Sequence, residues 1–197
     1  MNKAARRFVN ESLSYKLLGD EALSQKDHAS YIVFDDNIRR AKMKESPKDA
    51  KLWGAVDEGK EMSYAVYGNS IEEAVKKAGL DPKALKATIE QYNKLAPFGK
   101  DPLGRKSLSS GYGKPVAIVK PPFVIMPATA GMIGTYCGVR IDFEAHVIDV
   151  FGERINGLYA AGEMTGGIHG AAYMTGTAFG KALSFGHLAA DVIAKSE

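Results

Sequence analysis

Apolar and polar positions along the chain change period from one segment to the next. The run Tyr31-Ile32-Val33-Phe34, closed by Asp35-Asp36, predicts a buried strand, and Arg7-Phe8-Val9-Asn10-Glu11 reads as a short strand-like stretch running into a polar turn. A lysine-rich connection, read as irregular, follows the first strand. From Ser70 the spacing becomes helical. Ser70 can cap a helix because its hydroxyl accepts from an early backbone N–H, Glu72 and Glu73 suit the positive first turn, and Gly79 ends the element. Asp81-Pro82 starts a second helix as cap and first-turn proline, with Leu85, Ile89, Tyr92 and Leu95 on one face up to Pro97. The two make a helical hairpin with one apolar face. The glycine- and proline-rich stretch 98–122 predicts a loop, with a boundary near Pro121-Pro122.

Beyond that boundary the texture is short apolar runs punctuated by glycine. Strands are predicted over 123–126, 138–141, 146–148 and 158–161, with a hairpin turn at 149–153. A long helix over 178–194 closes the chain, with Leu183, Leu188, Val192 and Ile193 on helical spacing. There is no internal repeat and no low-complexity tract.

Composition narrows the function classes. With 45% hydrophobic and 25% charged residues in 197, the chain can bury a core. A net charge of +3 without a dense Lys/Arg run gives no focused field for nucleic acid or an anionic membrane. The single cysteine, Cys137, excludes an intrachain disulfide and permits a reducing compartment without requiring one. No stretch approaches the roughly 20 apolar residues of a membrane span, and the first eight residues lack the apolar core of a secretory signal. His28, His146 and His187 fit no metal-ligand spacing with Asp, Glu or another His and take no site role.

The sharpest chemical feature is Gly157-Leu158-Tyr159-Ala160-Ala161-Gly162-Glu163, followed by Thr165-Gly166-Gly167-Ile168-His169-Gly170 and Thr175-Gly176-Thr177-Ala178. Glycines there let the backbone approach a flat ring, and the free N–H groups at a helix start stabilise negative charge. This ordered series resembles the C-terminal flavin-binding signature of the fumarate reductase and succinate dehydrogenase flavoprotein superfamily, which includes ketosteroid dehydrogenases. The resemblance extends over nearly the whole chain. Residues 7–11 resemble the passage from FAD domain to cap, 71–95 the helical pair of the cap, and Pro121-Pro122-Phe123 the return. It implies an α/β fold: the C-terminal part of a Rossmann-like FAD-binding domain with an inserted α+β cap. The implied divisions are 1–24 leaving the FAD-binding domain, 25–122 as cap, and 123–197 as the end of the FAD-binding domain. It implies FAD as cofactor, with Gly162, Glu163, Gly176, Thr177 and Ala178 as its contacts and Glu163 holding the sugar-alcohol chain. No G-x-G-x-x-G follows a strand, and Gly111-Tyr112-Gly113 lacks a third glycine. The pyrophosphate-binding N-terminal half is therefore expected upstream in a longer parent chain or on another subunit.

Departures from the fumarate reductase pattern point to the branch. Tyr15 stands where that branch has an arginine after F-V-N-E, Tyr173 stands in place of its carboxylate-clamping arginine, and Ile133-Gly134 replace its paired histidines. A dicarboxylate without those cations faces an uncompensated desolvation cost of several kcal/mol. The two tyrosine positions resemble ketosteroid dehydrogenases, implying Tyr15 as proton-transfer residue and Tyr173 as donor to the substrate carbonyl, with Thr175 beside it. The implied reaction is desaturation or reduction of a C–C bond next to a carbonyl, in a 3-ketosteroid or other enone. Two alternatives stand beside it: a fumarate reductase type enoate reductase with cationic anchors from outside the chain, and a non-catalytic accessory fragment. Read as residues alone, Tyr15 also fits a surface aromatic, Tyr173 a packing ring, and Thr175 a turn-stabilising hydroxyl.

Overall fold

The computed structural model describes residues 1–109, 111–131, 134–170 and 173–196. They form two compact units, Met1–Gly131 and Met132–Glu197.

The first unit contains α1 (Tyr15–Leu23), β1 (Ser30–Phe34), α2 (Asp36–Glu45), α3 (Pro47–Asp57), β2 (Val66–Gly68), α4 (Ile71–Ala78), α5 (Pro82–Leu95) and β3 (Phe123–Ala128). The strands make one antiparallel sheet in the order β1-β3-β2, with Phe34 opposite Val124 and Gly68 opposite Phe123. Because side chains alternate along a strand, β3 serves two cores. Phe123 and Ile125 face Val75, Leu85 and Ile89, whereas Val124 packs with Phe34, Trp53 and Val56. The α4–α5 hairpin thus covers one face of the sheet and the α2–α3 pair contributes to the other.

The helix starts follow local chemistry. Ser70 accepts from the Glu73 amide at 3.1 Å, Asp81 from those of Lys83 and Ala84, and Gly79 ends α4 in the left-handed conformation. The irregular connection expected after β1 is corrected: it holds α2 and α3, started by Asp35 and by Ser46 with Pro47. Asp35 also accepts from the Val119 and Lys120 amides at 3.0 Å each, tying this helix start to the chain leading into β3. A buried arginine joins α2 to α3. Arg39, 1% exposed, bonds Asp36 at 2.6 Å, Asp57 at 2.6 Å and the Trp53 carbonyl at 2.9 Å.

The stretch 7–11 is not a strand, which corrects the sequence reading; it is a polar clamp on the loop at 101–108. Arg7 pairs with both Glu11 and Asp101. The Asn10 amide donates to the Gly104 carbonyl at 2.8 Å, and the Ser12 hydroxyl accepts from the Lys106 and Ser107 amides at 2.9 Å each. Arg7 and Arg105 both lie against the Tyr92 ring, at 5.1 and 5.4 Å from its centre.

The second unit has β4 (His146–Ile148) paired antiparallel with β5 (Arg154–Tyr159), then α6 (Thr177–Ser196). Its buried apolar residues among those described are Ala145, Val147 and Ala160. The strand expected over 138–141 is present only as isolated bridges, Val139 parallel to Thr165 and Ile141 antiparallel to Val147. The expected boundary at Pro121-Pro122 falls just before β3, whose partners β1 and β2 lie in the first unit. Among the described residues no helix is long and apolar enough to cross a membrane.

Candidate functional site

In the second unit the glycine-rich segment is organised by backbone pairing. The Val139 amide donates to the Met164 carbonyl at 2.8 Å and the Gly166 amide returns a bond to the Val139 carbonyl at 3.0 Å. The chains touch so closely that a Cβ on Gly138 would lie 2.3 Å from the Met164 oxygen, and one on Gly166 2.6 Å from the Gly138 nitrogen. Thr165, fully buried, closes the turn by giving both its amide and its hydroxyl to the Gly162 carbonyl, at 3.2 and 2.8 Å. Glu163 projects from this turn and is exposed.

The approach to α6 gathers aromatic side chains. Tyr136 stacks with Tyr173 at 6.3 Å, and His169 lies 5.3 Å from the first ring and 5.4 Å from the second. The Tyr136 hydroxyl accepts from the Tyr173 amide at 2.8 Å, and the Tyr173 hydroxyl accepts from the Gly176 amide at 3.2 Å. The Thr177 hydroxyl donates to the Met174 carbonyl at 2.6 Å and lies 3.4 Å from Nδ1 of His169. Of the residues singled out in the sequence, Tyr173, His169, Gly176 and Thr177 therefore converge at the start of α6, with Ala178 in its first turn. Thr175 is exposed and its hydroxyl has no hydrogen-bond partner among the described residues. Tyr136 was missed. Its signal, an aromatic beside Cys137-Gly138, is too slight to stand out without the backbone bridge that brings it to Tyr173.

Tyr15 belongs to the first unit, where it opens α1 and is 46% exposed. Of the replaced histidine pair, Ile133 lies outside the described residues, as do Ala171 and Ala172 of the run before Tyr173. Gly134 lies against Glu163: a Cβ there would sit 2.9 Å from Oε1.

A cluster not anticipated from spacing is Asp142, Glu144 and His146, whose ligand atoms lie within 4.8 Å of one another. Arg154 occupies its carboxylates, at 2.5 Å from Asp142 and 2.8 Å from Glu144. Burial acts to raise the Asp142 carboxyl, but hydrogen bonds from the Glu144 and His146 amides, with the Arg154 charge beside them, hold it below its ordinary value. The cluster is thus an ion-pair knot at the start of β4.

These features fit one end of a flavin. Gly162, Gly167, Gly170 and Gly176 have open space where a Cβ would stand, so a planar ring can approach their backbone. Met164, Met174 and Phe179 offer exposed apolar surface beside the amino end of α6, where the helix dipole favours negative charge. The chain is 34% identical over 162 residues to the NADH:acrylate oxidoreductase of Vibrio harveyi, covering 82% of this chain and 15% of that protein. It is 33% identical over 196 residues to a fumarate reductase (cytochrome) of Shewanella frigidimarina, covering 99% of this chain and 31% of that one. It therefore spans less than a third of either relative. The 3-ketosteroid delta1-dehydrogenase from Sterolibacterium denitrificans, solved with 1,4-androstadiene-3,17-dione, matches with a TM-score of 0.75 at 28% identity, over 100% of this chain and 38% of that one. The α/β expectation is met by these fold neighbours, and FAD is the cofactor of the group. Residues 1–178 match the family described as FAD binding domain, and the chain, with its glycine-lined turn and helix start, belongs to that family.

Proposed function

We propose that this chain is part of an FAD-dependent oxidoreductase that desaturates or reduces a C–C bond next to a carbonyl, in a 3-ketosteroid or another enone. The observation that carries the reading is the Tyr173 hydroxyl, which accepts from the Gly176 amide at 3.2 Å at the start of α6. A phenol that accepts through its oxygen becomes a better donor through its proton. That suits a group polarising a substrate carbonyl, which acidifies the neighbouring C–H. Tyr15 is assigned to move the proton and Thr175 to assist at the carbonyl. Gly162, Glu163, Gly176, Thr177 and Ala178 are assigned to hold the cofactor, Glu163 through the hydroxyls of its sugar-alcohol chain. Bound FAD supplies the hydride acceptor or donor. The pyrophosphate-binding half comes from a longer parent chain or another subunit, and the divisions 1–24, 25–122 and 123–197 describe the chain's place in that whole.

A second reading, reduction of an enoate, is favoured by the similarity to the acrylate and fumarate enzymes. It requires cationic anchors that the Tyr15 and Tyr173 positions do not supply. If the chain holds no FAD, an accessory role remains the third.

The test begins with the visible absorbance of the chain after incubation with FAD and desalting. Retained flavin, reduced and then reoxidised by an enone but not by fumarate or acrylate, supports the first reading. Reoxidation by the acids alone replaces it with the second, and a colourless protein favours the third.

A further inference from the structure

The turn proposed to carry Glu163 and the helix start proposed to face the cofactor are joined by one buried side chain. Lys181, the fifth residue of α6, is 5% exposed. Its Nζ donates to the Thr165 carbonyl at 2.7 Å and lies 3.5 Å from that of Glu163. Lysines are rarely buried unless paired with an anion. Here no carboxylate among the described residues stands in ion-pair range, so the partners are backbone dipoles alone. The position is also unfavourable for a cation, because the amino end of a 20-residue helix is already positive. Among the described residues the charge meets carbonyl dipoles but no anion. A bound anion would complete the pairing.

We infer that Lys181 is a positioning residue for the flavin site: it fastens the Gly162–Gly166 turn to the amino end of α6, and its charge favours the reduced cofactor over the oxidised one. This rests on the flavin-binding reading above. The fastening follows from the bonds. Thr165 is locked to Gly162 by amide and hydroxyl, Gly166 to Val139 by backbone, and Lys181 holds the carbonyl of the same Thr165. Freeing Nζ would leave a fully buried carbonyl without its donor and let the turn shift against the helix. The electrostatic part follows from charge balance. A hydride leaving a substrate carbon brings two electrons and one proton to a neutral isoalloxazine, and one negative charge remains there. A buried cation nearby stabilises that charge in a medium of low dielectric.

The experiment compares the chain with Lys181→Gln, which keeps a shorter donor without charge, and Lys181→Arg, which keeps the charge. Hydrogen exchange of the Gly166 and Val139 amides reads the fastening. Faster exchange by tenfold or more in K181Q, with restoration in K181R, is expected, and unchanged exchange in K181Q overturns the fastening. The two-electron reduction potential of the FAD-loaded protein reads the charge. A tenfold weaker preference for the reduced cofactor in K181Q corresponds to a fall of about 30 mV, and K181R should lie close to the wild type. An unchanged potential in K181Q overturns the charge role and leaves a structural fastener only. Failure of the wild-type chain to take up FAD overturns the charge role in this chain and the reading that it builds a cofactor site unaided, while the exchange rates still decide the fastening.

Discussion

Gly134 and Glu163 are so close that a Cβ on the glycine would stand 2.9 Å from the Glu163 Oε1. The glutamate proposed to hold the sugar-alcohol chain therefore has its place defined from behind by the absence of a side chain. The fumarate reductase branch sets a histidine at this position, and here one would contend directly with Glu163. Gly134→Ala should displace the carboxylate by a few tenths of an ångström and Gly134→His by far more. FAD affinity, followed by flavin fluorescence on titration, is expected to weaken severalfold in the first variant and at least about tenfold in the second, since each 1.4 kcal/mol is tenfold. Equal affinity in both would remove Glu163 from the cofactor contacts.

Tyr173→Phe removes an acceptor from the Gly176 amide and, on the proposed mechanism, the donor to the substrate carbonyl. Losing one such donor costs about 100-fold or more in rate, whereas the structural bond is worth about 1 kcal/mol. Rapid-mixing measurement of flavin reduction by a ketosteroid should thus show a large fall while the thermal midpoint moves by a few degrees. Tyr15→Phe should likewise stop turnover with the flavin still bound. A rate within threefold of wild type in either variant would withdraw that residue's catalytic role.

Asp101, with its side chain 1% exposed, is held by Arg7 and accepts the Arg105 amide at 2.9 Å. Asp101→Ala leaves Arg7 with Glu11 alone in a half-buried setting, and removing one partner of a buried pair costs about 3 kcal/mol. Trp53, the chain's one tryptophan, is buried in the first unit and reports its unfolding. Urea denaturation followed by its fluorescence should show the midpoint falling with an unchanged slope. A shift below about 0.5 kcal/mol, the level of an ordinary surface change, would mean that the clamp adds little.

The carboxyls of Asp36 and Asp101 are both held below their ordinary value of 3.8. Burial acts to raise each, and hydrogen bonds from Arg40 and Arg39 at Asp36, and from Arg7 and the Arg105 amide at Asp101, outweigh it. In the window between folded and unfolded values the unfolded chain binds more protons, so stability rises with pH there. The contribution is complete above the ordinary carboxylate range and disappears as pH falls through the lower folded values. The first unit's thermal midpoint should therefore hold level as regards these groups from neutrality to about pH 5 and drop below about pH 4. Asp36→Asn combined with Asp101→Asn should flatten that drop.

The sequence made α4 and α5 legible because their signals are local: Ser70, Gly79, Asp81 and Pro82 act on amides within a turn of themselves. The helices α2 and α3 escaped because one of their buried positions is Arg39, which a hydrophobic period cannot register. Its burial depends on Asp57, 18 residues away. The stretch 7–11 carried strand-forming residues, yet its polar side chains reach a loop about 94 positions on, and that tertiary demand decided its conformation. In the second unit the glycine series and Tyr173 stood out from sequence. Tyr136 and Lys181 did not, because their roles arise from backbone groups distant in the chain.

The order β1-β3-β2 places the last-made strand of the first unit in the middle of its sheet. When residues 30–68 have left the ribosome, neither β1 nor β2 has its neighbour, and the two remain ribbons with bare edges. The helical hairpin can form early from local signals, but both cores lack Phe123, Val124 and Ile125 until the strand arrives. Folding of this unit is thus gated by synthesis beyond residue 128. A chain halted in the loop before β3 would offer two unmatched strand edges to whatever protein lies nearest.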